Sequence, residues 1–281
     1  MTQTPATKKI WRPTVSYSLW SEFQPSVGRE HFHCDMKRGF NRARKREPLV
    51  AELLKQHDNS IPIQIGHLAQ MGVYEFHRDP NLLASSDGVD RVVEILQLSE
   101  QPEEVRERVF CALQNYYQNP ILKGRDILQL SRGDEGIPKP ILMRQGNYEF
   151  DFYAAIDCIV REPDGSLHII DFKTGKSEFD RRQAYLYLLA LRYLYPNRSA
   201  IASFYNLETG EQTEPISATS SVLQAFHIEI VKIARQHQQD LKRYRYYKEE
   251  FSRVFPPNSG LNCRYCPFQS ICEFSPSEVA A

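Results

Sequence analysis

The stretch from Tyr148 to Lys173 limits what this chain can fold into more than any other. Two apolar runs, Y-E-F-D-F-Y-A-A-I-D-C-I-V and L-H-I-I-D-F-K, are separated by R-E-P-D-G-S. Runs rich in β-branched and aromatic residues on either side of a Pro/Asp/Gly turn specify a β-hairpin. The hairpin carries Asp157 in its first run and Asp171 and Lys173 at the end of its second. Alternation along a strand puts Asp171 and Lys173 on one face, and Asp157 can meet Asp171 where the strands pass. Two readings fit. Either polar strand ends reach water, or two carboxylates and an ammonium converge on a hard divalent cation. Magnesium and manganese prefer carboxylate and carbonyl oxygens, and in that reading the Phe172 backbone carbonyl supplies a third oxygen. Lys173 would then hold the attacking water or offset charge on a phosphate.

On either side of the hairpin the apolar period changes to that of helices. Ile65, Leu68, Ala69, Gly72, Val73 and Phe76 recur at spacings of three and four, which predicts a helix around 64–76. His67 lies on it and is a candidate nitrogen ligand. A second helical pattern covers 88–117, punctuated at Pro102. Residues 181–195 carry leucines and tyrosines all round, the pattern of a mostly buried helix. Gln183 and Tyr187 stand four apart on one of its faces and can donate hydrogen bonds near the acids. A strand, A-I-A-S-F-Y-N-L, and a long charged helix from about 219 to 251 follow. This order predicts an α/β core with helical additions. Residues 1–14, polar and broken by prolines, are expected to form a disordered tail. Residues 15–281 are expected to form a single domain, long enough to bury a proper core.

With 35 basic and 35 acidic side chains the formal net charge is zero, so a nucleic-acid surface must be local. Lys37, Arg38 and Arg42, in the basic run 37–46, are the candidates. K-R-Y-R-Y-Y-K at 242–248 alternates cations with aromatics, which suits phosphate and base stacking but equally a solvated helix face. No apolar run approaches the roughly 20 residues that span a bilayer. No apolar stretch follows the first lysines, and a cytoplasmic location without membrane association is the expectation. The chain has no G-x-x-x-x-G-K-[ST] and hence no P-loop motor of its own.

Cysteines occur at 34, 111, 158, 263, 266 and 272. The last three fall in N-C-R-Y-C-P-F-Q-S-I-C, a C-x₂-C-x₅-C cluster suited to ligation, with a fourth ligand required from elsewhere. Cys34 is the natural candidate, with His33 and His31 behind it. Tetrathiolate sites hold zinc or an iron–sulfur cluster. Cys111, in an apolar helix, and Cys158, in a strand, are expected to be buried small hydrophobes.

Gly-His at 66–67, Ile-Asp at 156–157, I-I-D-F-K-T-G at 169–175 and Q-x-x-x-Y at 183–187 together resemble the RecB-like branch of the PD-(D/E)XK nucleases. The order and spacings agree from about Val15 to Phe274; Ala154-Ala155 stand where that family often has Gly-Arg. The resemblance implies a restriction-endonuclease-like core, a mixed central sheet flanked by helices. It also implies Mg²⁺- or Mn²⁺-dependent hydrolysis of DNA phosphodiester bonds, on single strands or DNA ends. His67, Asp157, Asp171 and the Phe172 carbonyl would bind the metal, Lys173 would orient the water, and Gln183 and Tyr187 would shape the site and touch the nucleic-acid backbone. Iron–sulfur members of the family clasp their chain ends with one N-terminal cysteine and a C-terminal triplet. Here that implies Cys34, Cys263, Cys266 and Cys272 around a structural [4Fe–4S] cluster, with zinc as the alternative. Such members include the exonucleases of CRISPR adaptation and the nuclease domains of recombination helicase–nucleases, so CRISPR adaptation proteins or a repair helicase are implied partners besides DNA. The alternative is a catalytically silent iron–sulfur DNA-binding subunit, which would require loss of an acid or the lysine; none is missing.

Overall fold

In the computed structural model, residues 12–25, 28, 30–175 and 179–276 are described. The chain runs β1 (Thr14–Ser16), α1 (Tyr17–Ser21), α2 (Asp35–Arg42), α3 (Pro48–Asp58), α4 (Ile61–Arg78), α5 (Gly88–Ile95) and α6 (Glu103–Gln118). There follow β2 (Asp126–Leu130), β3 (Ile141–Gln145), β4 (Tyr148–Tyr153), β5 (Cys158–Arg161), β6 (Leu167–Lys173) and α7 (Arg182–Leu194). Last come β7 (Ala200–Asn206), β8 (Glu211–Gln212), α8 (Ser220–Tyr246) and α9 (Phe251–Val254).

The hairpin of β5 and β6 forms as expected, with Cys158 opposite Ile170 and Arg161 opposite Leu167. Its turn closes on Gly165, whose φ of +83° suits glycine and whose N–H donates to the Glu162 carbonyl. Helix α7 then carries the chain back so that β7 runs parallel to β6, the crossover that parallel pairing requires. The result is a five-stranded mixed sheet in the order β2-β5-β6-β7-β8.

Alternate side chains of this sheet enter two separate cores. Ile159, Ile169 and Phe204 pack with Leu186, Leu189 and Ala190 of α7 and with Ile230 and Ala234 of α8. Cys158, Val160, Ile170, Phe172 and Tyr205 pack on the other face with α4 and α6, including Ile65, Val73, Val109 and Tyr116. Strand β6 is buried on both faces up to Lys173. Each large apolar side chain so buried contributes about 1.5–3 kcal/mol, which makes β6 a rigid base for the polar groups at its end.

The run from Tyr148 to Val160 is not one strand, as its composition suggests. It breaks at Ala154–Asp157: β4 joins a three-stranded sheet, β1-β4-β3, while β5 joins the large one. Local partners satisfy the backbone at the break. The Gln129 amide donates to the Ile156 carbonyl at 3.0 Å, and the Ser131 N–H donates to the Asp157 carbonyl at 2.7 Å. Asp157 therefore sits at the corner where the chain changes sheets. The long helix also ends earlier than expected, at Tyr246, because Tyr244 packs edge-on against Phe251 and Phe255 and turns the chain back.

Helices α2 and α3, which the basic stretch did not announce, belong to a third and small core. Met36, Phe40, Val50 and Phe268 form it, with Cys34, Cys266 and Cys272 at its edge. It joins the two ends of the chain: Met36 N–H donates to the Pro256 carbonyl at 3.2 Å, and the Asn258 amide to the His33 carbonyl at 2.7 Å. A Cβ at Gly39 would lie 2.6 Å from the Phe255 ring, so only glycine allows α2 this close. Through residue 11 the expected N-terminal tail lies outside the described residues. Of the remainder, Arg12 pairs with Glu149 at 3.3 Å and Thr14 opens β1 opposite Asp151, so those residues are placed in the small sheet. Among the described residues, no helix is long and apolar enough to cross a membrane.

Candidate active site

Asp157, Asp171 and Lys173 converge at the end of β6. Asp171 is 2% exposed, and the Lys173 ammonium lies 2.5 Å from its Oδ2. Asp157 keeps partial access to solvent. Its Oδ2 accepts from the Phe172 N–H at 2.9 Å and its Oδ1 from the Gln70 amide at 3.2 Å. In an antiparallel ladder a residue turns its N–H and C=O to the same neighbour. Phe172 lies beyond the last β5–β6 pair, Cys158 opposite Ile170, and its carbonyl leaves the strand on the same side as that N–H.

Burial pushes the pKa of both carboxyls up. For Asp157 the next cause is repulsion from Asp171, partly offset by the Phe172 N–H and Lys173. For Asp171 burial is countered by the Lys173 ammonium and by the Tyr187 hydroxyl. Once both ionise, two crowded carboxylates facing one ammonium carry more negative charge than it neutralises, which is why their protons are retained. A divalent cation in the open side of Asp157 reverses that balance, so the donor set fits a hard metal ion.

Gln183 and Tyr187 are brought to the site but are buried, at 6% and 5% exposed. The Gln183 amide donates to the Tyr187 oxygen at 2.6 Å, which leaves the tyrosine proton for Asp171. As placed, they support Asp171 from behind instead of reaching a nucleic-acid backbone. His67 is on α4 as expected, with its side chain exposed. The helix passes the site through Gly66, which faces Thr174 with 3.5 Å between its would-be Cβ and the hydroxyl, and through Gln70. Gln70 is the residue that sequence reasoning missed. Its signal was its position three residues after His67, on the same helix face.

The four expected cysteine ligands, Cys34, Cys263, Cys266 and Cys272, line one cavity of about 130 Å³. None is in a disulfide. Cys34 stands at the start of α2 and the others on short turns near the C-terminal end. Burial raises the thiol pKa of Cys266 and Cys272, and in each case the neighbouring cysteines add to it. Among the described residues, no three His, Cys, Asp or Glu side chains are close enough to chelate a single ion. The thiols ring a space instead of meeting at a point. His33 pairs with Asp35 at 3.7 Å, and the side chain of His31 lies outside what is described. Cys158 is buried as expected, its thiol pushed up to about 12 by burial. Cys111 is exposed, contrary to expectation, on the outer face of α6.

Of the three basic candidates, Lys37 lines the cysteine cavity, and Lys37 and Arg38 both line a neighbouring one with Glu22 and His33. Arg38 is 3% exposed, bound to Asp35 at 2.7 Å and Asp240 at 2.9 Å, and stacked on Phe23 and Phe255. Its charge is spent inside the protein. Arg42 is engaged by Glu22 and Ser18, both at 2.9 Å.

A mixed sheet between helical layers, with Asp-x-Lys ending a central strand opposite a second Asp, is the arrangement of the restriction-endonuclease-like class. The chain belongs to the PD-(D/E)XK nuclease superfamily, whose family profile matches residues 42–273. Membership makes the protein a nuclease by family, with nucleic acid as its substrate class. Among solved structures it is similar to "Crystal structure of SSO0001", at 15% identity over 76% of this chain and 96% of that one, with a TM-score of 0.32. No curated protein matches the chain.

Proposed function

We propose that the protein is a Mg²⁺- or Mn²⁺-dependent deoxyribonuclease of the RecB-like, iron–sulfur type, acting on single strands or DNA ends. The observation that carries this reading is the convergence of Asp157, Asp171 and Lys173 at the end of a buried strand, with more carboxylate than local positive charge. Asp157, Asp171 and the Phe172 carbonyl would hold the metal. His67, exposed on α4, would complete the set. A bound cation supplies a water of lowered pKa and neutralises charge on the phosphate. Lys173, on the same strand face as Asp171, would orient an attacking water, and Tyr187 and Gln183 hold Asp171 in place.

Four cysteines lining one cavity support a shared inorganic centre, which the family resemblance makes a [4Fe–4S] cluster, with zinc as the alternative. With a cysteine from the N-terminal part of the chain, such a cluster would staple the chain ends across the small core. CRISPR adaptation proteins or a repair helicase are proposed partners, on the family resemblance alone.

The test is cleavage of labelled single-stranded and duplex DNA by anaerobically purified protein. Cleavage should need Mn²⁺ or Mg²⁺ and stop in Lys173→Ala. Activity that survives a chelator would overturn the mechanism. The same preparation should hold about four iron and four sulfide per chain; stoichiometric zinc without iron would overturn the cluster.

A further inference from the structure

Gln70 stands outside the set of residues that the acid–lysine pattern names, yet it is the side chain by which α4 touches the carboxylate centre. Its amide donates to Asp157 Oδ1 at 3.2 Å and lies 3.4 Å from the Ser131 carbonyl. The other Asp157 oxygen accepts from the Phe172 N–H. The carboxylate is therefore held by the sheet through one oxygen and by the helix through the other. Ser131 also donates its N–H to the Asp157 main-chain carbonyl at 2.7 Å, so one residue touches both the acid and the amide that orients it.

The loop after Ser131 is built to stay there. The Glu135 carboxylate accepts from the Ser131 hydroxyl at 2.7 Å, the Arg132 N–H at 2.6 Å and the Gly133 N–H at 2.9 Å. Arg132 reaches back to the buried Glu75, on the same helix as Gln70, at 3.3 Å. Gly133, with φ of +95°, lies flat against the Gln70 carboxamide; a Cβ there would come within 3.1 Å of its carbon. Helix, loop and corner form a closed ring around one amide. A neutral donor suits this place, because it fixes the carboxylate without cancelling the charge a cation needs.

We infer that Gln70, clamped by the Ser131–Glu135 loop, is a positioning residue that aims Asp157 at the divalent cation and so sets the affinity of the centre for it. The inference rests on the metal-nuclease reading above. Groups that orient a metal ligand from behind typically change affinity or activity by about 10–100-fold when removed.

The experiment is calorimetric titration of Mn²⁺ into the full-length anaerobic protein, paired with single-turnover cleavage. Gln70→Met keeps the length and packing of the side chain and removes the donor. It should weaken Mn²⁺ binding by about 10–100-fold and lower cleavage at fixed Mn²⁺, with cleavage largely restored at saturating Mn²⁺. A purely structural role would leave Mn²⁺ affinity untouched. Gly133→Ala, which strains the loop at its left-handed φ and pushes on the amide without removing it, should shift affinity the same way and to a smaller extent. It serves as the second measurement should Gln70→Met fail to fold. Wild-type affinity in the folded variants would overturn the role of Gln70 and leave the nuclease reading standing. A wild-type protein that binds no Mn²⁺ would overturn both.

Discussion

The carboxylate centre and the cysteine cavity are built on opposite principles. The acids end a strand buried on both faces between two large cores, and each is held by protein donors: Asp157 by Phe172 and Gln70, Asp171 by Lys173. The cysteines sit at a helix start and on short turns over a core of four fully buried side chains. Together they line one cavity. On the proposed function, the first centre is held by protein contacts alone, whereas the second would be completed by what the thiols bind. Loss of metal should therefore silence the first and loosen the second.

The sharpest test separates the two by activity. Asp171→Asn should reduce cleavage by more than about 100-fold, beyond the range of a supporting residue, while iron content stays at the wild-type level. Iron loss in that variant would join the two regions that the fold keeps apart. Phe40→Ala, which removes the ring packed on Phe268 and Phe251, should cost about 3–5 kcal/mol by chemical denaturation and release iron. Cys34→Ala should lose iron, lower the melting temperature and weaken DNA binding together. Cys111→Ala, on an exposed face, should do none of these. Full iron retention in Cys34→Ala would remove it as a ligand and point to His33.

A smaller effect distinguishes the centres by pH. The raised carboxyls of Asp157 and Asp171 keep protons in the folded protein that the unfolded chain has already lost. Above the ordinary carboxylate pKa, the metal-free protein should therefore lose stability as pH rises toward the folded values. His77 and His237 act the other way. Burial lowers them to about 4 and about 3, so their contribution is present above the ordinary histidine pKa and is lost as pH falls. The comparison of wild-type protein with Asp157→Asn cancels the histidines. In chelator, melts between about pH 5 and 8 should show the variant less pH-dependent and more stable at the upper end. An identical pH profile would mean that Asp157 is an ordinary carboxylate.

Much of this fold can be read from the chain. The β5–β6 hairpin announces itself by its Pro/Asp/Gly turn, and α7 by leucines on every side; both are decided by neighbours in sequence. What could not be read depends on partners far along the chain. The strand-like run 148–160 keeps its pattern through Ala154 and Ala155, and the break there is set by Gln129 and Ser131. Arg38 looks like a surface cation until Asp240 of α8 closes over it. Gln70 was overshadowed by His67 because a neutral amide carries no sign of metal chemistry, and only the fold brings it to Asp157. The acids and lysine themselves were legible because β6 carries two of them and the third directly precedes its hairpin partner.

The corner between β4 and β5 also limits what changes the chain can tolerate. One extra residue between Ala154 and Asp157 would have to be absorbed by β4 or by β5, since each strand is pinned in its own sheet. A slip of one residue in β5 exchanges its two faces. Cys158 and Val160 would turn toward α7, Ile159 toward α4, and the carboxylate would leave the Phe172 N–H. The five residues of the 162–166 turn, by contrast, lie at the far end of the hairpin and can lengthen without moving either acid. Natural length variation should therefore collect at that turn and be absent from the corner, which acts as a spacer gauge for the distance between Asp157 and Asp171.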